Sequence, residues 1–358
     1  MKPAIHQFVA GYSNGDAISN EARVWRTVFR GWGHSSEIYC ERKRILPELR
    51  KDTRDITEAA STIGVEDIVI LHLSIGSVVN HSFKQLTCRK AIIYHNITPP
   101  DFFRGYQEQT AHLLRKGREE MAALAGVAPV NLADSQFNAD ELAAAGYHDP
   151  KVLPLLLDRT NWKGPVDRRV LREFDDGFIN ILFVGRCVPN KRIEDLIFTL
   201  YFMQKYVHRS TRLIHVGSAA GIERYQALLK TKARELGVEH LVMPGAVRGD
   251  ELRAFYQAAD VFLCLSEHEG FCIPLLEAMG HEVPVIAYDA GAVAETLGGA
   301  GVLVKQKHFD LLAETIHRVA NDAPLRSAIV QGQNERLLRY ERQDIPAMMQ
   351  QALAAWLT

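Results

Sequence analysis

The sequence lacks the cysteine patterns on which disulfide-rich and zinc-binding domains depend. Its 358 residues include only five cysteines, which are scattered, and none of them forms a Cys-x-x-Cys pair. This pattern argues against a disulfide framework or a zinc cluster and favours a reducing compartment. The sequence also has no run of 18 apolar residues, so no transmembrane helix is expected. We therefore predict a cytoplasmic protein.

An excess of charge of one sign is also missing. The formal net charge is −1, whereas a domain that binds nucleic acid usually carries a basic patch or stripe. We accordingly expect no nucleic-acid partner. The short basic run Arg42-Lys43-Arg44 is interpreted as part of a solvated surface.

Three common signatures of nucleotide or metal chemistry are absent. Gly11 and Gly15 do not fit a Gly-x-Gly-x-x-Gly loop, which argues against a dehydrogenase. No Gly-x4-Gly-Lys-Ser/Thr loop occurs, which excludes a P-loop nucleotidase. The Asp-x-Asp motif of metal-dependent, single-domain transferases is missing as well.

What the chain does contain is an alternation of short apolar runs and helical stretches. Several of the runs are unbroken in Val, Ile and Leu, which is typical of strands buried on both faces in a parallel sheet. The predicted strands are residues 68–71, 91–94, 130–133, 180–184, 212–216, 261–265 and 284–287. The predicted helices are residues 22–30, 110–124, 139–145, 193–205, 224–236 and 250–258. This alternation predicts an α/β fold of the doubly wound type.

The length predicts two domains, because a single hydrophobic core rarely grows beyond roughly 250–300 residues. A second cycle of strands and helices starts near Asn180, and residues 158–177, rich in Arg, Asp, Gly and Pro, are interpreted as the connection. We predict an N-terminal domain of residues 1–157 and a C-terminal domain of residues 158–342. A helix at 343–358 is expected to pack back on the first domain.

Basic residues follow the predicted strand 180–184, where ligands of open α/β sheets bind. Gly185 allows a sharp turn, Arg186 offers a planar fork to phosphate oxygens, and Lys191 adds a compact positive charge. These residues predict a diphosphate clamp that takes the place of a metal ion, so we predict no metal. A basic loop on a solvated face is the alternative.

Acidic residues follow the next such strand, 261–265. Gly270 permits close backbone approach, and the free N–H groups of a helix starting at Gly270–Phe271 are suited to an anion. Glu269 is predicted to hold a sugar hydroxyl, and Glu277, two turns into the helix, to accept hydrogen bonds from ribose. A capped helix with incidental carboxylates is the alternative interpretation.

The string from Glu269 to Glu277, Glu-Gly-Phe-Cys-Ile-Pro-Leu-Leu-Glu, resembles the Glu-x7-Glu signature of family 4 glycosyltransferases. Gly185-Arg186 followed by Lys191 is similar to the family's phosphate motif, and the resemblance extends over residues 180–322. It implies a retaining GT-B enzyme, with two Rossmann-like domains facing across a cleft, that takes a sugar from a nucleotide diphosphate without a cofactor. The residues it assigns to the nucleotide sugar are Gly15, Asp16, Gly185, Arg186, Lys191, Val247, Arg248, Glu269, Gly270, Phe271, Cys272, Ile273 and Glu277.

The N-terminal half resembles the family less closely. Tyr-His-Asn-Ile-Thr-Pro at 94–99 is similar to a motif of bacterial polysaccharide members, and His95 is expected to face the donor sugar or the acceptor. A structural histidine at a strand end is the alternative. The predicted catalytic set is Glu269, His95, Arg186 and Lys191, and the predicted acceptor side is His72, Ser74, Asn96 and Ser135.

The resemblance favours GDP-mannose as the donor and a growing glycan or a lipid-linked glycan as the acceptor. It leaves open a UDP- or dTDP-sugar donor, a GT-B epimerase and a non-catalytic GT-B partner protein. A lipid-linked acceptor implies peripheral contact with the inner face of a membrane. The oligomeric state is not predicted.

Overall fold

The computed structural model describes residues 2–357, apart from the side chain of Asn161, and its strands form two parallel sheets. Met1 and Thr358, the outer ends of the predicted ranges, lie outside the described residues. The first sheet contains β1 (Ile5–Val9), β2 (Ile38–Cys40), β3 (Arg54–Asp55), β4 (Ile68–Leu73), β5 (Arg89–Tyr94), β6 (Val130–Ala133) and β7 (Lys151–Val152). Its strand order is β3-β2-β1-β4-β5-β6-β7.

The second sheet has six strands and repeats the same kind of order. It contains β8 (Ile179–Val184), β9 (Thr211–Val216), β10 (Leu241–Gly245), β11 (Val261–Cys264), β12 (Val285–Tyr288) and β13 (Val302–Val304). The order is β10-β9-β8-β11-β12-β13. In both sheets the order reverses beside the first strand, as in a Rossmann fold. The prediction of an α/β fold with two Rossmann-like, doubly wound domains is therefore confirmed.

The helices that connect the strands are mostly amphipathic. In chain order they are α1 (Ala17–Gly31), α2 (Ala59–Thr62), α3 (Val78–Gln85), α4 (Glu108–Leu124), α5 (Gln136–Ala144), α6 (Arg168–Phe174), α7 (Ile193–Phe202), α8 (Glu223–Leu236), α9 (Gly249–Ala258), α10 (Ile273–Gly280), α11 (Val293–Leu297), α12 (Phe309–Asn321), α13 (Ala323–Glu341), α14 (Ile345–Ala352) and α15 (Ala354–Leu357). A π-helix, Met203–Val207, follows α7 directly, so the predicted helix 193–205 changes its hydrogen bonding in its last turn.

The sequence explains why the central strands are buried on both faces. All six residues of β4, Ile-Val-Ile-Leu-His-Leu, are buried, and the strand pairs in parallel with β1 on one side and β5 on the other. Helix α1 covers this sheet with Ala22, Trp25 and Phe29, which recur at helical spacing and are fully buried. The one polar side chain of β4, His72, is buried near its carboxyl end.

The chain divides into two compact units. Unit 1 consists of the chain up to Pro100, Gln109–Asp158 and the segment from Asp344 onward, and unit 2 consists of Asp101–Glu108 and Arg159–Gln343. The stretch interpreted as a connection, 158–177, contains a regular element of unit 2, because Asp167 caps α6 by accepting from the backbone N–H of Arg169. Among residues 2–357, no helix combines the length and hydrophobicity needed to span a bilayer.

Candidate active site

In unit 2 the strand order reverses between β8 and β11, which are neighbours in the sheet. Ligands of such sheets bind beyond the carboxyl ends of the strands at this point. The loop after β8 carries Lys191 and the loop after β11 carries Glu269. The two loops are joined by Asn190, whose Nδ2 donates to the carbonyl of His268 at 3.1 Å and whose carbonyl accepts from the N–H of Glu267 at 2.9 Å. The structure thus brings the two predicted motifs together.

Lys191 and Glu269 form a bidentate ion pair. The Lys191 Nζ lies 2.7 Å from both Oε1 and Oε2 of Glu269, whose side chain is only 6% exposed. Burial by itself lowers the pKa of Lys191, but the charge and hydrogen bonds of Glu269 outweigh it and raise the pKa. The ammonium group therefore stays charged, and one of its three hydrogens is left for a further acceptor.

The backbone around Glu269 is fixed by a neighbouring turn. The N–H of Ala292 donates to the carbonyl of Glu269 at 2.9 Å. Gly291, with a φ of +58°, packs so closely that a Cβ at this position would lie 2.3 Å from the same carbonyl oxygen. Only glycine fits here without moving Glu269.

Replacing Gly291 with alanine is expected to lower the free energy of unfolding by about 1–3 kcal/mol, because the residue must hold a left-handed backbone against a clash. Gly332→Ala is the matched control, since Gly332 lies within α13 with nothing near its Cβ position, and should stabilise the helix by about 0.5–1 kcal/mol. Urea unfolding checks both, and equal stability of the two variants would contradict the role given to Gly291.

The predicted start of the signature helix is wrong by a few residues. The helix α10 begins at Ile273, and the residue before it, Cys272, takes a left-handed φ of +76°. Gly270 and Phe271 therefore belong to the turn, where the carbonyl of Phe271 accepts from the hydroxyl of Thr296. Pro274 sits in the first turn of α10, where its missing N–H costs nothing.

Two thiols lie beside this turn. The Cys264 and Cys272 Sγ atoms are 4.0 Å apart, and with a Glu269 oxygen they form a group of potential metal ligands within 4.8 Å of one another. Both Glu269 oxygens, however, are held by Lys191. The expectation that the protein needs no metal stays a prediction.

Arg186 is exposed and is the second residue after the end of β8. Its guanidinium forms no ion pair or hydrogen bond with another residue of the described chain. The preceding Gly185 is held in place, since its N–H donates to the carbonyl of Val216 at 2.9 Å and its own carbonyl lies 3.0 Å from Nε2 of His215. A fixed turn thus presents an uncommitted arginine fork.

The residues predicted for the nucleoside have partners within unit 2. Arg248 precedes α9 and forms ion pairs with Asp167 and Asp250, while the neighbouring Val247 is half-buried. Burial raises the pKa of Glu277, and the Tyr256 hydroxyl, which donates to its Oε2 at 2.9 Å, acts in the opposite direction. Their contacts with a nucleoside stay predictions.

Several predicted residues of unit 1 support its turns. Asp16 caps α1 by accepting from the Ser19 N–H at 2.8 Å, next to Gly15 with its φ of +73°. Ser135 caps α5, its Oγ accepting from the Asn138 N–H at 3.2 Å. Asn96 donates from Nδ2 to Asn138 Oδ1 at 2.9 Å. Ser74 is half-buried and lies just after β4.

His72 and His95 lie in a buried polar network at the carboxyl ends of β4 and β5. The Gln7 amide donates from Nε2 to the carbonyl of Ala22. This hydrogen bond orients the Gln7 Oε1 towards the Nε2 of His72, which lies 2.9 Å away. His72 therefore donates from Nε2 and accepts at Nδ1, where His95 Nε2 lies 2.8 Å away. His95 also donates from Nδ1 to Asp134 Oδ2 at 2.9 Å, so it carries both hydrogens and is an imidazolium.

The surrounding charges agree with this assignment. Burial lowers the pKa of His95, but the carboxylates of Asp134 and Glu21 outweigh it and raise the pKa to about 9. Burial, together with the charge on His95, holds the pKa of His72 well below its usual value. Since both nitrogens of His95 are engaged and its side chain is 3% exposed, its contact with a sugar stays a prediction.

Glu21 and Gln7, which belong to this network, were not predicted from the sequence. The Glu21 Oε2 lies 3.6 Å from His95 Nδ1, and its Oε1 accepts from Trp25 Nε1 at 3.2 Å. Burial raises the pKa of Glu21 to about 7, although the charge on His95 opposes this. One signal was available, because Glu21 is an acidic residue among the largely apolar residues at helical spacing in α1.

The region that contains this geometry is similar to a known protein family. Residues 167–336 match the family described as glycosyl transferases group 1. The matched region begins before α6 and ends within α13, so it includes Arg186, Lys191, Glu269 and Glu277. The match thus lies within unit 2 and covers both loops of the candidate site.

Curated relatives match part of this chain. An uncharacterized glycosyltransferase of Methanocaldococcus jannaschii is 32% identical over 173 residues, which are 48% of this chain and 43% of the relative. A GDP-mannose-dependent alpha-mannosyltransferase of Mycolicibacterium smegmatis is 33% identical over 149 residues, 40% of this chain and 36% of the relative. The chain thus spans less than half the length of these relatives.

The fold resembles solved structures over nearly the whole chain. The crystal structure of Anabaena HepE in complex with UDP-glucose has a TM-score of 0.71 and 18% sequence identity, and the match covers 98% of each chain. At this identity the likeness establishes the fold alone. It supports the predicted GT-B class for the two Rossmann-like units.

Proposed function

We propose that this chain is a retaining glycosyltransferase that takes a sugar from a nucleotide diphosphate sugar bound to unit 2. The observation that carries the proposal is the meeting of the β8 and β11 loops, which places Lys191 against Glu269 where the strand order reverses. The group 1 match covers both loops. The proposal extends to the whole reaction, with a glycan or lipid-linked glycan as the acceptor.

The basic residues are suited to a diphosphate. As the bond between the anomeric carbon and the phosphate breaks, its electron pair passes to the phosphate oxygen and negative charge grows there. Arg186 offers an uncommitted fork, and Lys191 has one N–H beyond the two that Glu269 accepts. Preorganised donors of this kind stabilise the developing charge. In this proposal they do so without a metal ion.

Glu269 is suited to holding the sugar. Each of its oxygens accepts one hydrogen bond from Lys191 and keeps a second lone pair for a sugar hydroxyl. The same engagement makes it a poor nucleophile for a double displacement. We therefore propose attack from the face on which the phosphate leaves. The acceptor oxygen forms the new bond to the anomeric carbon, and its proton passes to the departing phosphate.

GDP-mannose is the proposed donor, supported by the Mycolicibacterium smegmatis relative, which is named as GDP-mannose-dependent. UDP-glucose is the rival, since the structurally similar Anabaena protein was solved with it. We propose that unit 1 binds the acceptor. His95 then provides a fixed positive charge and does not donate a hydrogen bond to the sugar. This role follows from the engagement of both ring nitrogens.

Calorimetric titration separates the donors. We expect GDP-mannose to bind more tightly than UDP-glucose, and Arg186→Ala to weaken binding by roughly ten- to a hundredfold, the effect of losing a hydrogen bond to a charged group. Arg209→Ala is the control, because Arg209 is an arginine of unit 2 with a side chain that is 85% exposed. Tighter binding of UDP-glucose would change the donor, and no binding of either nucleotide would overturn the transferase proposal.

A further inference from the structure

Unit 1 contains a charged groove that shares no residue with the sites described above. It has a volume of about 480 Å3, within the usual range for ligand sites. Its lining includes six cationic side chains, Arg26, Arg30, Arg42, Arg50, Lys51 and Arg54. It also includes four acidic side chains, Glu37, Asp52, Asp55 and Glu58. This basic groove thus concentrates positive charge in a chain whose formal net charge is −1.

Half of these cations are already neutralised by acids of the lining. The ion pairs are Arg26–Asp52 at 2.8 Å, Arg30–Glu37 at 3.3 Å and Arg54–Glu58 at 3.6 Å. Arg42, Arg50 and Lys51 are exposed, and their side chains form no ion pair or hydrogen bond with any other described residue. Only Asp55 is left to balance these three, and its Oδ1 accepts from the N–H and hydroxyl of Thr57. About two positive charges are therefore uncompensated.

The wall that carries these cations is firmly held. Arg26 donates to both carboxylate oxygens of Asp52 and to its carbonyl, all at 2.8 Å, and Tyr12 donates its hydroxyl to Asp52 at 2.7 Å. Tyr12 is fully buried and also bridges to Ile45, which lines the groove. A rigid support of this kind lowers the cost of binding a ligand, because less freedom is lost.

We propose that the basic groove binds a phosphate-bearing ligand through Arg42, Arg50 and Lys51. A phosphate monoester carries a charge of about −1.5 to −2 at neutral pH, which matches the uncompensated charge. The arginine fork fits phosphate oxygens in pairs, and a lysine adds a compact charge. The phosphate belongs either to a soluble molecule or to a lipid headgroup. The proposal does not depend on the chemistry of unit 2.

Nuclear magnetic resonance with inorganic pyrophosphate tests the groove residue by residue. We expect the amide signals of residues 42–54 to shift on titration. If the phosphate comes from a lipid, more of the protein should sediment with phosphatidylglycerol vesicles than with phosphatidylcholine vesicles. The triple variant Arg42→Ala, Arg50→Ala, Lys51→Ala should weaken the effective interaction by about tenfold or more. Circular dichroism should be unchanged, since all three side chains are exposed.

The control removes the same charges from unit 2, with Arg209→Ala, Lys230→Ala and Arg234→Ala, and should bind like the wild type. A shift with pyrophosphate assigns a soluble phosphate, and vesicle binding alone assigns a headgroup; either supports the proposal. It is overturned if neither probe engages residues 42–54, if the triple variant binds as well as the wild type, or if the control loses binding equally. Arg186→Ala lies in unit 2, so its loss of donor binding does not change these outcomes. The proposed phosphate site and the proposed transferase function can therefore be disproved independently.

Discussion

Replacing Lys191 with alanine should lower the rate of sugar transfer by about 10²–10³-fold, the usual effect of removing one preorganised donor that faces a developing negative charge. The loss has two sources in this structure. In the proposed reaction the donor phosphate loses the ammonium group, and Glu269 loses the partner that holds both of its oxygens at 2.7 Å. The measurement is kcat at saturating donor, so that weaker binding is not mistaken for slower chemistry.

The same change should also affect stability, because it strands a carboxylate that is 6% exposed. Removing one partner of a buried ion pair typically costs about 3–5 kcal/mol. The double variant Lys191→Met, Glu269→Gln removes both charges and should recover most of the lost free energy of unfolding while remaining inactive. A folded Lys191→Ala protein with full transfer rate would contradict the assignment. Recovery of activity in the double variant would contradict it as well.

Replacing His95 with glutamine should destabilise unit 1 by about 3–5 kcal/mol, since it removes the positive charge that lies between two buried carboxylates. Glu21 and Asp134 have side chains that are each 4% exposed. Urea unfolding followed by tryptophan fluorescence suits this measurement, because Trp25, which donates to Glu21, is fully buried in unit 1. Glu21→Gln in the same background should restore part of the stability, because it removes one of the stranded charges.

The free energy of unfolding of the wild type should depend on pH in a way that matches this role of His95. His95 has its pKa raised to about 9, so the folded state binds this proton more tightly than the unfolded state does. Its contribution is complete below pH 6.5 and is lost as the pH rises through 9, by roughly 3 kcal/mol in all. Glu21, with its pKa raised to about 7, loses its contribution in the same direction but between pH 4.5 and 7. An alkaline loss that persists unchanged in His95→Gln would rule out His95 as its source.

The sequence predicted the central strands best, because they are unbroken apolar runs. Strand β6 was predicted at its observed bounds, Val130–Ala133, and β8 and β9 within one residue. Strand β1, Ile5–Val9, was missed since His6 and Gln7 interrupt its apolar pattern, although both are buried. Strands β3 and β7 have two residues each and leave no periodic pattern.

The positions of the two unit 2 motifs in the fold were predictable because each motif stands at the end of a recognisable strand. What the motifs did not predict is that Lys191 and Glu269 contact each other, since each was assigned to a different part of the donor. In unit 1, Glu21 was not recognised because its role depends on the spatial proximity of His95, 74 positions along the chain, which spacing alone does not reveal. The left-handed Cys272 likewise follows from the packing of its turn rather than from its residue type.

The order in which the chain visits its two units has a consequence for its synthesis. The segment from Asp344 belongs to unit 1, where Met349 and Leu353 are fully buried and the Trp356 carbonyl accepts from Arg89 at 3.0 Å. Residues 159–343 must be translated between the two parts of unit 1, which takes about 10–40 s at ribosomal rates. During that interval the apolar surface of unit 1 that Met349 and Leu353 later cover is exposed on the nascent chain. The unit that begins first is therefore the one completed last.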